Sequence, residues 1–88
     1  MAWRIELSEE AEAVIAKMDR QNQKRFSKFF DRVMNRENPR SLGKALSGPL
    51  GTFWSYRVGD YRAICDIHDN ILTVEVIRIG HRREVYRT

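Results

Sequence analysis

At the start of the chain Trp3, Ile5 and Leu7 alternate with Arg4 and Glu6, the period of two that marks a strand with one buried face. The period then lengthens. Ala11, Val14, Ile15 and Met18 fall at i, i+3, i+4 and i+7, which predicts a helix with a single apolar stripe. Ser8 supplies its N-cap, and Glu9 and Glu10 sit in the first turn, where they favour the positive end of the helix dipole. Asp19 to Gln23 is polar and is expected to turn the chain. Phe26, Phe29, Phe30 and Val33 then resume the helical spacing, with Lys24, Arg25, Lys28 and Arg32 filling the other side. Asn38-Pro39 ends that pattern, because the residue before a proline is pushed out of the helical region. Two amphipathic helices with a short link predict a helical hairpin.

Pro39 to Gly51 is rich in glycine and proline and reads as loop. Three strand patterns follow, Phe53 to Val58, Tyr61 to His68 and Ile71 to Ile79. Gly59-Asp60 joins the first two, with glycine at the first position as a type II′ turn prefers, and Asp69-Asn70 joins the last two. The expected fold class is therefore α+β: an N-terminal strand, a helical hairpin, then a three-stranded antiparallel meander, forming one sheet with the helices on one face. With no internal repeat or linker, residues 1–88 read as a single domain. Alternation puts Tyr61, Ala63, Cys65 and Ile67, with Trp54, Tyr56 and Val58, on the side that meets the helices. Arg62, Ile64, Asp66 and His68, with Phe53, Ser55 and Arg57, then point to the open face. Arg57 and Arg62 flank one tight turn and are expected to stand close together there.

The 88 residues carry 16 Lys and Arg against 12 Asp and Glu, a formal charge of +4, which favours a polyanionic partner such as nucleic acid. All four lysines lie before residue 45; beyond residue 50 the cations are six arginines opposed by five acids, so a basic patch there must come from sheet geometry. Lys17, Arg20, Lys24, Arg25, Lys28 and Arg32 read singly as a solvated helix face and together as a surface able to dock on RNA phosphates. Cys65 is the only cysteine and falls in an apolar strand pattern, which predicts a buried, inert thiol and excludes an intramolecular disulfide. No apolar run approaches the ~18 residues of a membrane span, and Met1 to Leu7 lacks the apolar core of a signal peptide, so a cytoplasmic protein with no membrane partner is expected. With two histidines, no cysteine pair and no carboxylates clustered at ligand spacing, neither a metal nor any other cofactor is expected. Gly43-Lys44 lacks the upstream glycine of a P-loop. His68, beside the Asp69-Asn70 turn, reads as a surface residue.

Three runs carry a family resemblance: Leu46-Ser47-Gly48-Pro49-Leu50, Trp54-Ser55-Tyr56-Arg57-Val58-Gly59-Asp60-Tyr61-Arg62, and Gly80-His81-Arg82-Arg83-Glu84-Val85-Tyr86. Together they resemble the RelE branch of the RelE/ParE toxin superfamily across essentially the whole chain. The R-x-G-D-Y-R turn is shared widely in that superfamily and identifies the fold; the G-H-R-x-x-V-Y ending points to the RNA-cleaving branch. The resemblance implies the toxin of a type II toxin–antitoxin pair, a metal-independent endoribonuclease that cuts mRNA in the ribosomal A site. Implied partners are a cognate RelB-like antitoxin, the ribosome and its mRNA, and operator DNA only through the antitoxin complex. By position, Arg62 matches the strand arginine at the scissile phosphate, Arg82 the arginine that stabilises the transition state, and Tyr86 the tyrosine near the reacting ribose or a stacked base. Arg57, Arg78, Arg83 and Lys44 are the basic residues expected to hold RNA. One departure stands out: relatives carry lysines on the open face of the first meander strand, where this chain has Phe53 and Ser55.

The implied reaction is attack of a ribose 2′-OH on the adjacent phosphate, giving a cyclic phosphate and a 5′-OH. It requires a base, an acid and positive charge at the phosphate. Arginine suits the last role and is a poor proton shuttle. His81, whose imidazole can act as acid or base, and Tyr86 are the two alternatives for proton transfer. Two other functions fit the same fold: a ParE-like inhibitor of DNA gyrase, and a catalytically weak RNA- or antitoxin-binding module.

Overall fold

The computed structural model describes residues 3–35, 38–46 and 53–81. A strand β1 (Arg4–Leu7) leads into helices α1 (Glu9–Ala16) and α2 (Arg20–Met34). A 3₁₀ turn (Pro39–Leu42) and a two-residue strand β2 (Lys44–Ala45) follow, then β3 (Trp54–Val58), β4 (Tyr61–His68) and β5 (Thr73–His81). The α+β class holds. The sheet, however, has five strands in the order β1-β5-β4-β3-β2, antiparallel except where β1 lies parallel to β5.

Local chemistry explains the boundaries. The Ser8 hydroxyl accepts from the Ala11 amide at 3.0 Å and donates to the Ile77 carbonyl at 2.6 Å, so one side chain caps α1 and fastens it to β5. Asp19 caps α2 by accepting from the Asn22 amide at 2.9 Å. That cap corrects the expected turn over Asp19 to Gln23: polar residues after a capping aspartate begin the helix instead of breaking it. Gln23 bonds back to the Ile15 carbonyl at 2.9 Å, tying α2 to the end of α1. Likewise Pro39 to Leu46 is not simply loop, because Asn38 caps a 3₁₀ turn that delivers Lys44 and Ala45 to the edge of β3. Gly59 takes φ +60° while Asp60 does not, as a type II′ turn requires. The Asp69-Asn70 turn is longer than expected, a 3₁₀ turn over Asp69–Ile71 closed by Leu72 at φ 49°, so β5 starts at Thr73.

The core lies between the helices and one sheet face. Phe26, Phe29 and Val33 of α2 and Ala11 of α1 meet Tyr56, Val58, Ala63, Cys65, Val74, Val76 and Ile79. Phe29 packs on Tyr56 and Phe26 on Tyr61, with ring centroids 5.0 and 6.0 Å apart. Burial pushes the Cys65 thiol far up, leaving it a protonated core residue. Among the described residues no helix is long and apolar enough to cross a membrane.

β5 carries one irregularity that matters for the site. Ile64 pairs with Arg78 and Cys65 with Val76, so Ile77 is an extra residue, a bulge. Side-chain parity along β5 is reset there. Val74 and Val76 face the core before it, and Ile79 faces the core after it.

Candidate nucleic-acid interface

The rows of the ladder determine which side chains can meet. Arg57 lies directly opposite Arg62, and Arg62 directly opposite Gly80, so two arginines stand side by side where the third strand presents no side chain. The next row on the same face is Lys44, Ser55, Ile64 and Arg78. Two residues along a strand and one strand across put the Lys44 and Arg57 Cα atoms roughly 8 Å apart, within the reach of both long side chains.

These residues line a groove of about 290 Å³ formed by Ser41, Leu42, Gly43, Lys44, Ser55, Arg57 and Arg62. Arg57 also borders a second groove, of about 250 Å³, with Arg25, Lys28 and Arg32 of α2, floored by Phe29 and Val58. Among the described residues no carboxylate lines either groove. The helix-borne cations and the sheet arginines therefore form one basic strip that bends around the Gly59 turn. Arg25 rests on that turn; a Cβ at Gly59 would lie 2.9 Å from its Nη1. Such a strip can neutralise several phosphates of a single strand, while the arginine pair offers planar, multidentate donors to one of them.

A strap holds the groove's outer wall. The buried Tyr56 hydroxyl donates to the Pro39 carbonyl at 2.8 Å, and Trp54 Nε1 donates to the Arg40 carbonyl at 3.1 Å. Arg40 in turn grips both Asp69 carboxylate oxygens at 2.9 and 2.8 Å and lies 5.9 Å from the Trp54 ring centre. Burial pushes the Tyr56 phenol up, so it stays a donor to that carbonyl. Gly43 then passes so close beneath β3 that a Cβ there would lie 2.5 Å from the Ser55 carbonyl oxygen and 2.8 Å from ring carbons of Trp54 and Tyr56. The strap leaves residue 44 little choice of position.

The other expected site residues divide. Arg78 stands on the open face beside Ile64, but its Nε is 3.8 Å from Glu10 Oε2 and it lines neither groove. His81 pairs with Tyr61, its ring 6.0 Å from the Tyr61 ring, on the helical side of the sheet. The fold thus brings His81 to the right end of the sheet and turns it away from Arg57, Arg62 and Lys44. Arg82, Arg83 and Tyr86 lie outside the described residues, as does Ser47 to Thr52. Ser41, Gly43 and the α2 side of the strip enter the site with no short motif to announce them; the only signal was the run of cations along one helix face.

At the far end of the same face, roughly 20 Å along β4 from Arg62, His68 Nε2 lies 3.1 Å from Glu75 Oε1 and 3.6 Å from Asp66 Oδ2. The hydrogen bond to Glu75 holds the imidazole above its ordinary value, helped by the charges of Asp66, Glu75 and Glu6 against some desolvation. Among the described residues these three side chains are the ones whose donor atoms could share a cation. Sequence spacing misses the cluster because Glu75 reaches Asp66 only through the β4–β5 register.

A family model described as the ParE toxin of the type II toxin–antitoxin system parDE matches residues 5–86. Toxin RelE of Mycobacterium tuberculosis (strain ATCC 25618 / H37Rv) is 44% identical over 50 residues, 57% of this chain and 52% of that protein. Toxin RelG of the same organism is 39% identical over 49 residues, 56% of this chain and 56% of that protein. The chain thus matches about half the length of these curated relatives. A chain of the RelBE2 toxin–antitoxin complex of Mycobacterium tuberculosis superposes with a TM-score of 0.81 at 27% identity, covering 93% of this chain and 100% of that one. A chain of the archaeal RelE–RelB complex of Pyrococcus horikoshii OT3 shares the fold, with a TM-score of 0.77 at 21% identity and full coverage of both chains.

Proposed function

This chain belongs to the RelE/ParE superfamily of type II toxin–antitoxin toxins, on its RelE branch, and we propose that it is a ribosome-dependent endoribonuclease cutting mRNA by 2′-OH attack on the adjacent phosphate. The observation that carries this reading is the Arg57–Arg62 pair in a groove that no carboxylate lines among the described residues, continuous with the basic strip of α2. In the proposed mechanism Arg57 and Arg62 grip the non-bridging oxygens of the scissile phosphate and offset the charge that builds there. Arg82 adds a further cation in the transition state, as the family resemblance assigns. The 2′-OH proton passes to Tyr86 in preference to His81, because the His81 ring is engaged with Tyr61 on the opposite face. Arg25, Lys28 and Arg32 hold neighbouring RNA phosphates through salt-sensitive contacts. A RelB-like antitoxin is the proposed protein partner, supported by relatives whose solved chains come from RelB complexes.

The test uses purified ribosomes carrying a defined mRNA. Wild-type protein yields a 5′-OH product and a cyclic phosphate, and Arg57→Ala and Arg62→Ala each lower the rate at least ~100-fold, the scale of losing one transition-state donor. Cleavage that survives both substitutions would refute the groove as the site.

A further inference from the structure

The groove holds two arginines that can stabilise charge but not readily surrender a proton, so the donor to the leaving 5′ oxygen must come from elsewhere. The described histidines, the cysteine and the buried Tyr56 of the sheet are engaged elsewhere, and Tyr61, Glu6, Asp66 and Glu75 do not line the groove. His81 is turned to Tyr61, His68 sits between carboxylates at the other end of β4, Tyr56 is bonded to the Pro39 carbonyl, and Cys65 is buried. Of the groove's lining residues, Ser41, Leu42, Gly43, Lys44, Ser55, Arg57 and Arg62, the lysine is the one with an acid proton to give. Its position is also enforced. The Tyr56–Pro39 and Trp54–Arg40 hydrogen bonds, with the close passage of Gly43, bring a two-residue strand to β3 and set Lys44 against Ser55.

We propose that Lys44 is the general acid of the cleavage reaction, delivering its ammonium proton from β2 across Ser55 to the 5′ oxygen of the leaving nucleotide. The assignment rests on the nuclease reading above. In the step, the O2′–P bond forms as the P–O5′ bond breaks. The Lys44 Nζ proton moves to O5′, the 2′-hydroxyl proton leaves to the base, and solvent returns a proton to the amine. No oxidant or further reactant is needed. A lysine here supplies from the neighbouring strand an amine that Ser55 itself lacks.

A modified leaving group isolates this role. An mRNA whose scissile linkage carries sulfur in place of the bridging 5′ oxygen departs as a thiolate and needs no acid. With full-length protein on programmed ribosomes, Lys44→Arg, which retains the charge, should slow cleavage of ordinary mRNA ~100-fold or more, within the range of general acid catalysis. The same variant should cut the sulfur-substituted mRNA within ~3-fold of wild type. Arg57→Ala should lose rate on both substrates alike. Equal losses for Lys44→Arg on the two substrates, or no loss on either, would overturn the assignment. A wild-type protein inactive on both would instead remove the nuclease reading beneath it. A urea midpoint matching wild type shows that Lys44→Arg has not simply unfolded the strap.

Discussion

Gly43→Ala is the smallest change that should disturb both stability and the groove. At φ −142° residue 43 is extended backbone that alanine adopts freely, so the cost comes from space and not from torsion. The added methyl would stand 2.5 Å from the Ser55 carbonyl oxygen and 2.8 Å from Trp54 and Tyr56 ring carbons. None of the three can step aside cheaply: Ser55 offers backbone, Tyr56 is fully buried, and both rings are hydrogen-bonded to the strap itself. Overpacking of this kind costs about 2–3 kcal/mol. With a urea m-value near ~1.2 kcal/mol/M for a chain this short, the midpoint should fall by about 2 M. Relief comes by lifting β2 off β3, so the Lys44 and Ser55 amides should shift strongly in a ¹H–¹⁵N spectrum while those of β1 do not. A variant with a midpoint within ~0.3 M of wild type and unmoved Lys44 and Ser55 amides would refute the close-packing argument.

Tyr56→Phe keeps the ring packing and deletes the donor to the buried Pro39 carbonyl; a loss of about 1–2 kcal/mol in urea denaturation is expected, and no loss would show that this carbonyl finds another partner. His68 gives a pH signature. Its folded value is raised, so its stabilisation is fully present below the unfolded imidazole value of ~6.5 and fades as pH rises through the folded one. His68→Gln should therefore differ from wild type in thermal midpoint at pH 5.5 and converge with it on the alkaline side; a gap that is constant with pH would contradict the Glu75 and Asp66 contacts.

Much of this fold could be read from residue periods. Trp3 to Leu7, the Ser8 cap, both helical stripes and Tyr61 to His68 all appear where the pattern placed them, because each is set by neighbours in sequence. The Arg57–Arg62 pair was legible for the same reason, since a two-residue turn leaves only one register. Three features were not legible. β2 is too short to show a period, and the bonds that place it span 14 and 17 residues. The Asp66, His68 and Glu75 cluster depends on pairing across the β4–β5 turn. The third is the face of His81. Uninterrupted alternation from Val74 and Val76 would put it on the open face with Arg62, and the Ile77 bulge turns it to Tyr61. A bulge has no period of its own, so the face His81 takes at the end of β5 cannot be read from alternation.

If the basic groove cuts RNA on the ribosome, mapping mRNA 5′ ends in cells after brief induction should reveal it. New 5′ ends in codon phase within translated regions are expected for wild type and His81→Ala and should be absent for Arg62→Ala and Arg82→Ala. Growth arrest with intact mRNA and a DNA-damage response would contradict it and assign the fold to gyrase inhibition instead.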